Sequence, residues 1–387
     1  MTNTTVDGHE HSLPDAADRT PVVGAFEYVF PAIRGVQAGR EFFVSMCPWR
    51  LIPRVFLFDE DELVPELRAQ RVLNRGRLPE IARYIIDNPE SYVFSALTAS
   101  IDGEVRFEVS EQSAHAERMG LLRVPMTARF VINDGQHRRA AIDLALRERP
   151  DLADESIAIV FFLDAGLERS QQMFADLNRY AVRPSTSIGV LYDHRDELAE
   201  LTRVVVLKSP VFRDLVEMER STLAKRSRKL FTLSAIYTAT KGLLADHPGG
   251  LEEREALARA YWEAVADVIP DWHAVRARKL SAGEVRGDFI HSHGIALQAL
   301  GRAGNALIQS GVTPVMFAER LAPLRQLDWS RSNASTWEGR ALIGGRVSKA
   351  SQNVVLTTNV VLAALQIPLD DEQQQAEHAF QRGRQGA

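Results

Sequence analysis

The sequence predicts an α+β protein in two parts, a mixed strand-and-helix N-terminal domain and a mainly helical C-terminal one. Three observations carry that expectation. Phe26, Tyr28 and Phe30 alternate with Glu27 and Val29, the period of a strand with one buried face, and 128–133 reads as a further strand. The run Ile157, Ala158, Ile159, Val160, Phe161, Phe162 reads as a buried strand. Beyond about Pro184 strand signals become sparse and the chain reads as mostly helical.

Composition narrows the function classes. The 387 residues leave room for two domains or three at roughly 100–200 residues each. Hydrophobic residues are 45% and charged residues 25%, which excludes a disordered, collagen-like or coiled-coil chain. The 46 Lys and Arg face 51 Asp and Glu, a net charge of -5, so a nucleic-acid surface must be a local patch. One cysteine, Cys47, makes neither an internal disulfide nor a cysteine-based zinc site. No apolar run reaches the roughly 18 residues of a membrane span, and the chain reads as cytoplasmic. Residues 1–21 are polar, lack the pattern of a signal peptide, and read as a disordered lead-in.

The elements follow in order. Phe26, Tyr28 and Phe30 mark a first strand, Gly35 and Gly39 bracket a turn, and 41–46 is the partner strand. Residues 50–58 read as mixed and partly extended. Leu63, Leu67 and Val72 give 59–72 a helical spacing, with Pro65 fitting only near a first turn. Pro79 belongs in the first turn of a short helix with Ile81, Ile85 and Ile86 as its apolar face; Asn88 and Pro89 end it. Residues 92–97 read as a strand and 105–109 as a hairpin arm. A strand at 128–133, a sharp turn at 134–138 and a helix at 139–149, stopped by Pro150, lead to the strand 156–163 and a helix over about 167–179. In the second part, 204–207 is ambiguous, 231–244 is a helix and 246–250 a loop between helices. A linker is expected near Ala282 and Gly283, a last folded piece includes 354–365, and 367–387 reads as a frayed tail.

The turn at 134–138 reads Asp134, Gly135, Gln136, His137, Arg138. A strand ends, a glycine permits a tight turn, and a helix begins. Helix N-termini expose unpaired N–H groups and partial positive charge, an anion site in waiting. Arg138 and Arg139 enter in the first helical turn, where the dipole disfavours cations, and that points to a negatively charged ligand. Arg138 has the fork to grip a phosphate, His137 a further donor, and Asp134 a carboxylate for a cap, a metal or a hydroxyl. The same five residues fit a helix cap, two surface side chains and a salt bridge.

These five residues resemble the defining motif of DGQHR-domain proteins. Residues 70–77 (Gln-Arg-Val-Leu-Asn-Arg-Gly-Arg) resemble that family's upstream basic segment, and 172–179 (Gln-Met-Phe-Ala-Asp-Leu-Asn-Arg) its downstream block. The whole chain is similar to the DndB family of DNA sulfur-modification (phosphorothioation) proteins. The resemblance implies a regulator that binds promoter DNA and represses the modification genes, not the sulfur-transfer enzyme. It also implies a distant likeness to the ParB/sulfiredoxin fold, where a Gly-x-x-Arg turn holds nucleotide phosphates; Gly135 and Arg138 match it. Sulfiredoxin's reactive cysteine would fall in this turn, but Gln136 and His137 stand there, so Cys47 is read as a buried small residue. Asn178 and Arg179 are placed to complete a polar pocket with Asp134 and Arg138.

Basic clusters supply the DNA expectation. Residues 220–229 hold Arg220, Lys225, Arg226, Arg228 and Lys229 with no acid, and Ser221, Thr222 and Ser227 as neutral donors. Asp214, Glu217 and Glu219 lie just upstream. Arg71, Arg75 and Arg77 form a second basic stretch. Arg276, Arg278 and Lys279 follow Trp272 and His273; Arg331, Arg340, Arg346 and Lys349 interleave with Trp329 and Trp337, which read either as stacking platforms or as core. His291 and His293, at i, i+2, face apart on a helix and are not read as a metal site.

The expected organisation is therefore a ParB/sulfiredoxin-like domain over 22–185 and a helical DNA-binding and oligomerisation domain over 186–366. The expected function is a homodimeric repressor on double-stranded promoter DNA, with contacts to other phosphorothioation proteins. The rival is a nucleotide-hydrolysing enzyme. In it Arg138 stabilises phosphoryl charge, Asp134 holds magnesium or positions water, and His137 assists.

Overall fold

Seven strands build one mixed sheet in the N-terminal part of the computed structural model: β1 (Glu27–Gln37), β2 (Arg40–Pro48), β3 (Leu97–Asp102), β4 (Arg106–Val109), β5 (Met119–Pro125), β6 (Arg129–Asp134) and β7 (Ser156–Leu163). Their order is β4-β5-β1-β2-β7-β3-β6, and only the β7–β3 pair is parallel. The structure describes residues 26–56, 75–110, 116–163, 172–173, 175–177 and 184–385. The lead-in over 1–21, the helix over 59–72 and most of the helix over 167–179 fall outside them. The chain divides into two units, Met1–Val182 and Arg183–Ala387.

Alternation explains the sheet. Phe30 and Ala32 of β1 and Phe43 of β2 turn to a core shared with Leu122, Ile159 and Phe161. Ile85 of the helix Leu78–Asp87 and Ala141, Ile142 and Ala145 of the helix Gln136–Glu148 close that core. The intervening residues face the other way. Ile33 lies opposite Val44 and Met119, and Val44 opposite Val160. Val29, Ile33, Met46 and Met119 remain exposed there. Ala38 and Gly39, at φ of 51° and 73°, make the two-residue hairpin loop that the strand twist demands.

Three local expectations give way. Residues 50–58 are helical where described, not extended: Trp49–Leu51 and Ile52–Val55 form consecutive helical turns, with Pro53 tolerated in a first turn. Burial of Trp49, Ile52 and Phe56 fixes this segment in the core. Residues 92–96 form no strand, which runs instead over Leu97–Asp102. The carbonyls of Ser95 and Ala96 accept from Arg138 and are not in a ladder. The helix at 139–149 begins earlier, at Gln136.

The second unit is helical around a separate core containing Phe212, Phe231, Tyr261, Trp262 and Trp272. The ambiguous 204–207 lies in the helix Glu197–Lys208, whose Asp196 cap accepts from the N–H groups of Leu198 and Ala199. Phe231 and Thr232 pair as a short strand with Val216 and Glu217, and Thr232 caps the helix Leu233–Leu243. That helix crosses Gly294–Gln309 closely: a Cβ on Gly301 would sit 2.2 Å from the carbonyl oxygen of Ala239. No linker occurs at Ala282 and Gly283, which begin the helix Ala282–Asp288, with Ala282 buried. The expected frayed tail contains the helix Asp371–Gln385. Arg340 anchors it through a two-pronged pair with Glu377 (2.7 Å for one prong) and stacks 4.3 Å over the ring of Phe380. No helix among the described residues is long and apolar enough to cross a membrane.

Candidate functional site

The turn after β6 is built on Gly135, at φ of 101°. A Cβ there would lie 2.4 Å from Cδ2 of the buried Leu97, so glycine is required by space as well as by conformation. No side chain caps the helix that follows. Asp134, expected to cap the helix or to hold a metal or a hydroxyl, does not cap it; its Oδ2 accepts from Arg138 Nη2 at 2.6 Å. Arg138 Nη1 donates to the carbonyl oxygens of Ser95 and Ala96, both at 2.7 Å, and to the Ser95 hydroxyl. Arg139 turns to the end of the helix Ile52–Val55 and donates to the carbonyls of Phe56 (3.0 Å) and Pro53 (3.4 Å). Both first-turn cations therefore have intramolecular acceptors. These account for their position without a bound anion.

Gln136 is buried and donates to the carbonyl of Ile132 at 3.1 Å. Burial first, and the charge of Arg77 second, hold the His137 imidazole below its ordinary value and so favour its neutral form. The structure thus brings Arg77 and His137 together. Arg75 begins the helical turn Arg75–Arg77; its side chain, like Arg71, Asn178 and Arg179, lies outside the described residues. Cys47 is fully buried, and desolvation pushes its thiol up to about 12.

The loop 220–229 has the opposite character. Arg220, Lys225, Arg226 and Arg228 are exposed. Among the described residues none of these four side chains has an ion-pair partner within 4.0 Å. Lys229 is committed, its Nζ donating to the carbonyl of Asp214 at 3.0 Å. The upstream Glu217 accepts from the N–H groups of Glu219 (3.2 Å) and Arg220 (3.4 Å), which turns its charge onto backbone. The unsuspected residue is Arg286, which is 9% exposed and sits behind the loop. It donates to the carbonyls of Ala224 (2.9 Å), Lys225 (3.2 Å), Ser227 (3.3 Å) and Lys229. Gly283, one turn ahead of it, was the available signal, since a Cβ there would fall 2.5 Å from the carbonyl oxygen of Lys225.

The other clusters divide between committed and free side chains. Arg276, Arg278 and Lys279 are exposed. Arg331 donates to the carbonyls of Gly345 (2.8 Å) and Gly287 (3.4 Å), and Arg340 is held by Glu377, whereas Arg346 and Lys349 are exposed. Trp272, Trp329 and Trp337 are core residues and offer no stacking face. His291 is locked between Trp272, whose indole N–H donates to Nδ1 at 3.1 Å, and Asp271, 3.1 Å from Nε2. That hydrogen bond holds the Asp271 carboxyl below its ordinary value. His293 Nε2 donates to the carbonyl of Arg286 at 2.8 Å.

A family model described as DndB, DNA-sulfur modification-associated, matches residues 30–368. No curated protein matches the chain, and no solved structure does.

Proposed function

The chain belongs to the DndB family, whose members are associated with DNA sulfur modification, and from that premise we propose that it is a DNA-binding repressor of phosphorothioation genes. One observation carries the reading. In the loop 220–229, Arg220, Lys225, Arg226 and Arg228 point to solvent without carboxylate partners among the described residues. Surface cations are ordinarily interspersed with acids; four left open on one loop suit a polyanion. Binding through them releases counterions, so affinity falls steeply with salt. Its partners in this reading are promoter duplex, a second copy and other phosphorothioation proteins.

The experiment is an electrophoretic mobility shift on the promoter of adjacent modification genes, at two salt concentrations and with unrelated duplex as competitor. A salt-sensitive shift that survives the competitor is the expected result. A shift abolished equally by any duplex sinks the repressor.

A homodimer belongs to the same reading, because paired half-sites call for two-fold symmetry. Val29, Ile33, Met46, Met119 and Leu121 offer an exposed apolar surface. The ion pairs Arg34–Glu41 and Arg123–Glu27 leave its surroundings near neutral, which suits a second copy better than a polyanion. Sedimentation checks it: Ile33→Asp with Met46→Asp converts dimer to monomer, and a monomeric parent chain removes the dimer from the proposal.

The rival, nucleotide hydrolysis at the turn, draws on the uncapped first turn of the helix Gln136–Glu148. It draws the Arg138 guanidinium partly away from its four acceptors, while Asp134, whose Oδ2 holds Arg138, keeps Oδ1 for magnesium. The regulator reading requires no such rearrangement.

A further inference from the structure

Three basic stretches far apart in sequence are tied to one short helix, Ala282–Asp288. The loop 220–229 is fastened to it by Arg286, whose guanidinium gathers carbonyls of Ala224, Lys225, Ser227 and Lys229. Gly283 seats the same loop: a Cβ there would fall 2.5 Å from the carbonyl oxygen of Lys225. Arg278 and Lys279 stand just ahead of the helix, in a turn closed by the Lys279 N–H on the carbonyl of Ala274 at 2.8 Å, with Arg278 at φ of 58°. At the far end, the Arg331 N–H donates to the carbonyl of Asp288 at 2.8 Å, and its side chain reaches Gly345, next to Arg346.

We infer that these stretches form one composite surface for the phosphate backbone of duplex DNA, with Arg286 as the residue that positions it. The inference rests on the DNA-binding reading above and says where and how binding occurs. A run of cations repels itself. Arg286 adds no carboxylate to screen it; its hydrogen bonds to the loop's carbonyls hold the backbone in place against that repulsion, with Lys225, Arg226 and Arg228 exposed. Arg278, Lys279 and Arg346 extend the positive surface around the same helix. The tryptophans of these clusters are buried, so bases cannot stack on them as on a single-strand platform. What the surface offers is cationic donors, which position a backbone and read little sequence.

The test is fluorescence anisotropy of the full chain with a labelled promoter duplex, and with a single strand of equal length, over a salt series. Arg278→Gln with Lys279→Gln, both exposed and remote in sequence from the loop, lowers the slope of log affinity against log salt by about 1–2 and leaves the melting temperature unchanged. Arg286→Gln, which removes no outward cation, lowers duplex affinity about tenfold or more and raises amide exchange in 220–229 without exposing the core; Arg286→Lys recovers part of the loss. The duplex binds more tightly than the single strand. If Lys225→Gln with Arg226→Gln weakens binding while the Arg278 and Lys279 variant keeps the parent slope, the composite surface is wrong and the DNA reading survives. If Arg286→Gln binds as the parent does, its positioning role is wrong. A parent chain that binds no duplex overturns both the surface and the function it rests on.

Discussion

The turn at 134–139 and the loop at 220–229 are both rich in arginine, yet they use it in opposite senses. In the turn, Arg138 and Arg139 fold back onto carbonyls of Ser95, Ala96, Phe56 and Pro53. Their charge is spent on joining segments that lie about 40 to 80 residues apart in sequence. In the loop, one remote arginine, Arg286, satisfies the backbone, and Arg220, Lys225, Arg226 and Arg228 are left outward. A basic residue is therefore informative about a ligand only after its acceptors have been counted. By that count Arg138 of the five-residue motif and Arg139 after it are tied into the fold, whereas the basic loop expected from the sequence keeps four exposed cations without ion-pair partners among the described residues.

The sharpest way to break this contrast is Arg138→Ala. It deletes an ion pair and strands two carbonyls, and it should cost about 2–4 kcal/mol in urea unfolding while duplex affinity of the folded protein stays at the parent value. Unchanged stability with lost ligand binding would reverse the assignment. Next, Lys225→Gln, Arg226→Gln and Arg228→Gln combined should reduce duplex affinity about a hundredfold at low salt, with stability shifting by no more than about 0.5 kcal/mol. An anisotropy titration and a melt on the same sample separate the two effects. Gly135→Ala should cost about 1–3 kcal/mol, from its left-handed backbone and the clash with Leu97. A circular-dichroism melt reads it, and a neutral result would mean the turn has slack.

The mildest effect is on pH. His137 in the turn and His293 behind Arg286 both sit below the ordinary histidine value, chiefly through burial. Arg77 faces the first; Arg331, Arg286 and His291 face the second. Below about pH 6.5 the unfolded chain takes up protons that the folded chain refuses. Stability is therefore full above that value and falls as pH drops through the window beneath it. His293→Gln should flatten the fall more than His137→Gln, because burial, the leading cause in both, weighs more heavily on His293, with Arg331 and Arg286 adding to it.

Much of the sheet was legible. The spacing of Phe26, Tyr28 and Phe30 marked β1, the Gly35 and Gly39 turn with the apolar stretch after it marked β2, the apolar run marked β7, and Gly135 marked the passage from β6 into a helix. β5 was not, because Leu121, Leu122, Arg123 and Val124 break the two-residue period and Gly120 weakens the strand signal. The strand at 92–97 was misplaced because Tyr92 and Phe94 are apolar for another reason: their rings pack on Trp49 and Tyr84. At the candidate site, the charge run at 220–229 was visible as composition. Its organiser was not, since Arg286 meets carbonyls 57 to 62 positions away. Hydrogen bonds from a side chain to distant backbone leave no periodic trace.

Cys47 has a practical consequence. It is the chain's one cysteine, and its thiol is buried and held protonated near neutrality. Thiol reagents react with an exposed thiolate, and burial disfavours both the exposure and the ionisation of this side chain. The expected outcome is slow reaction with thiol reagents in the native chain, which would make it a ready background for labelling. A cysteine introduced in place of Arg226 would be the sole reactive handle, and a probe attached there would report the distance from loop to duplex directly.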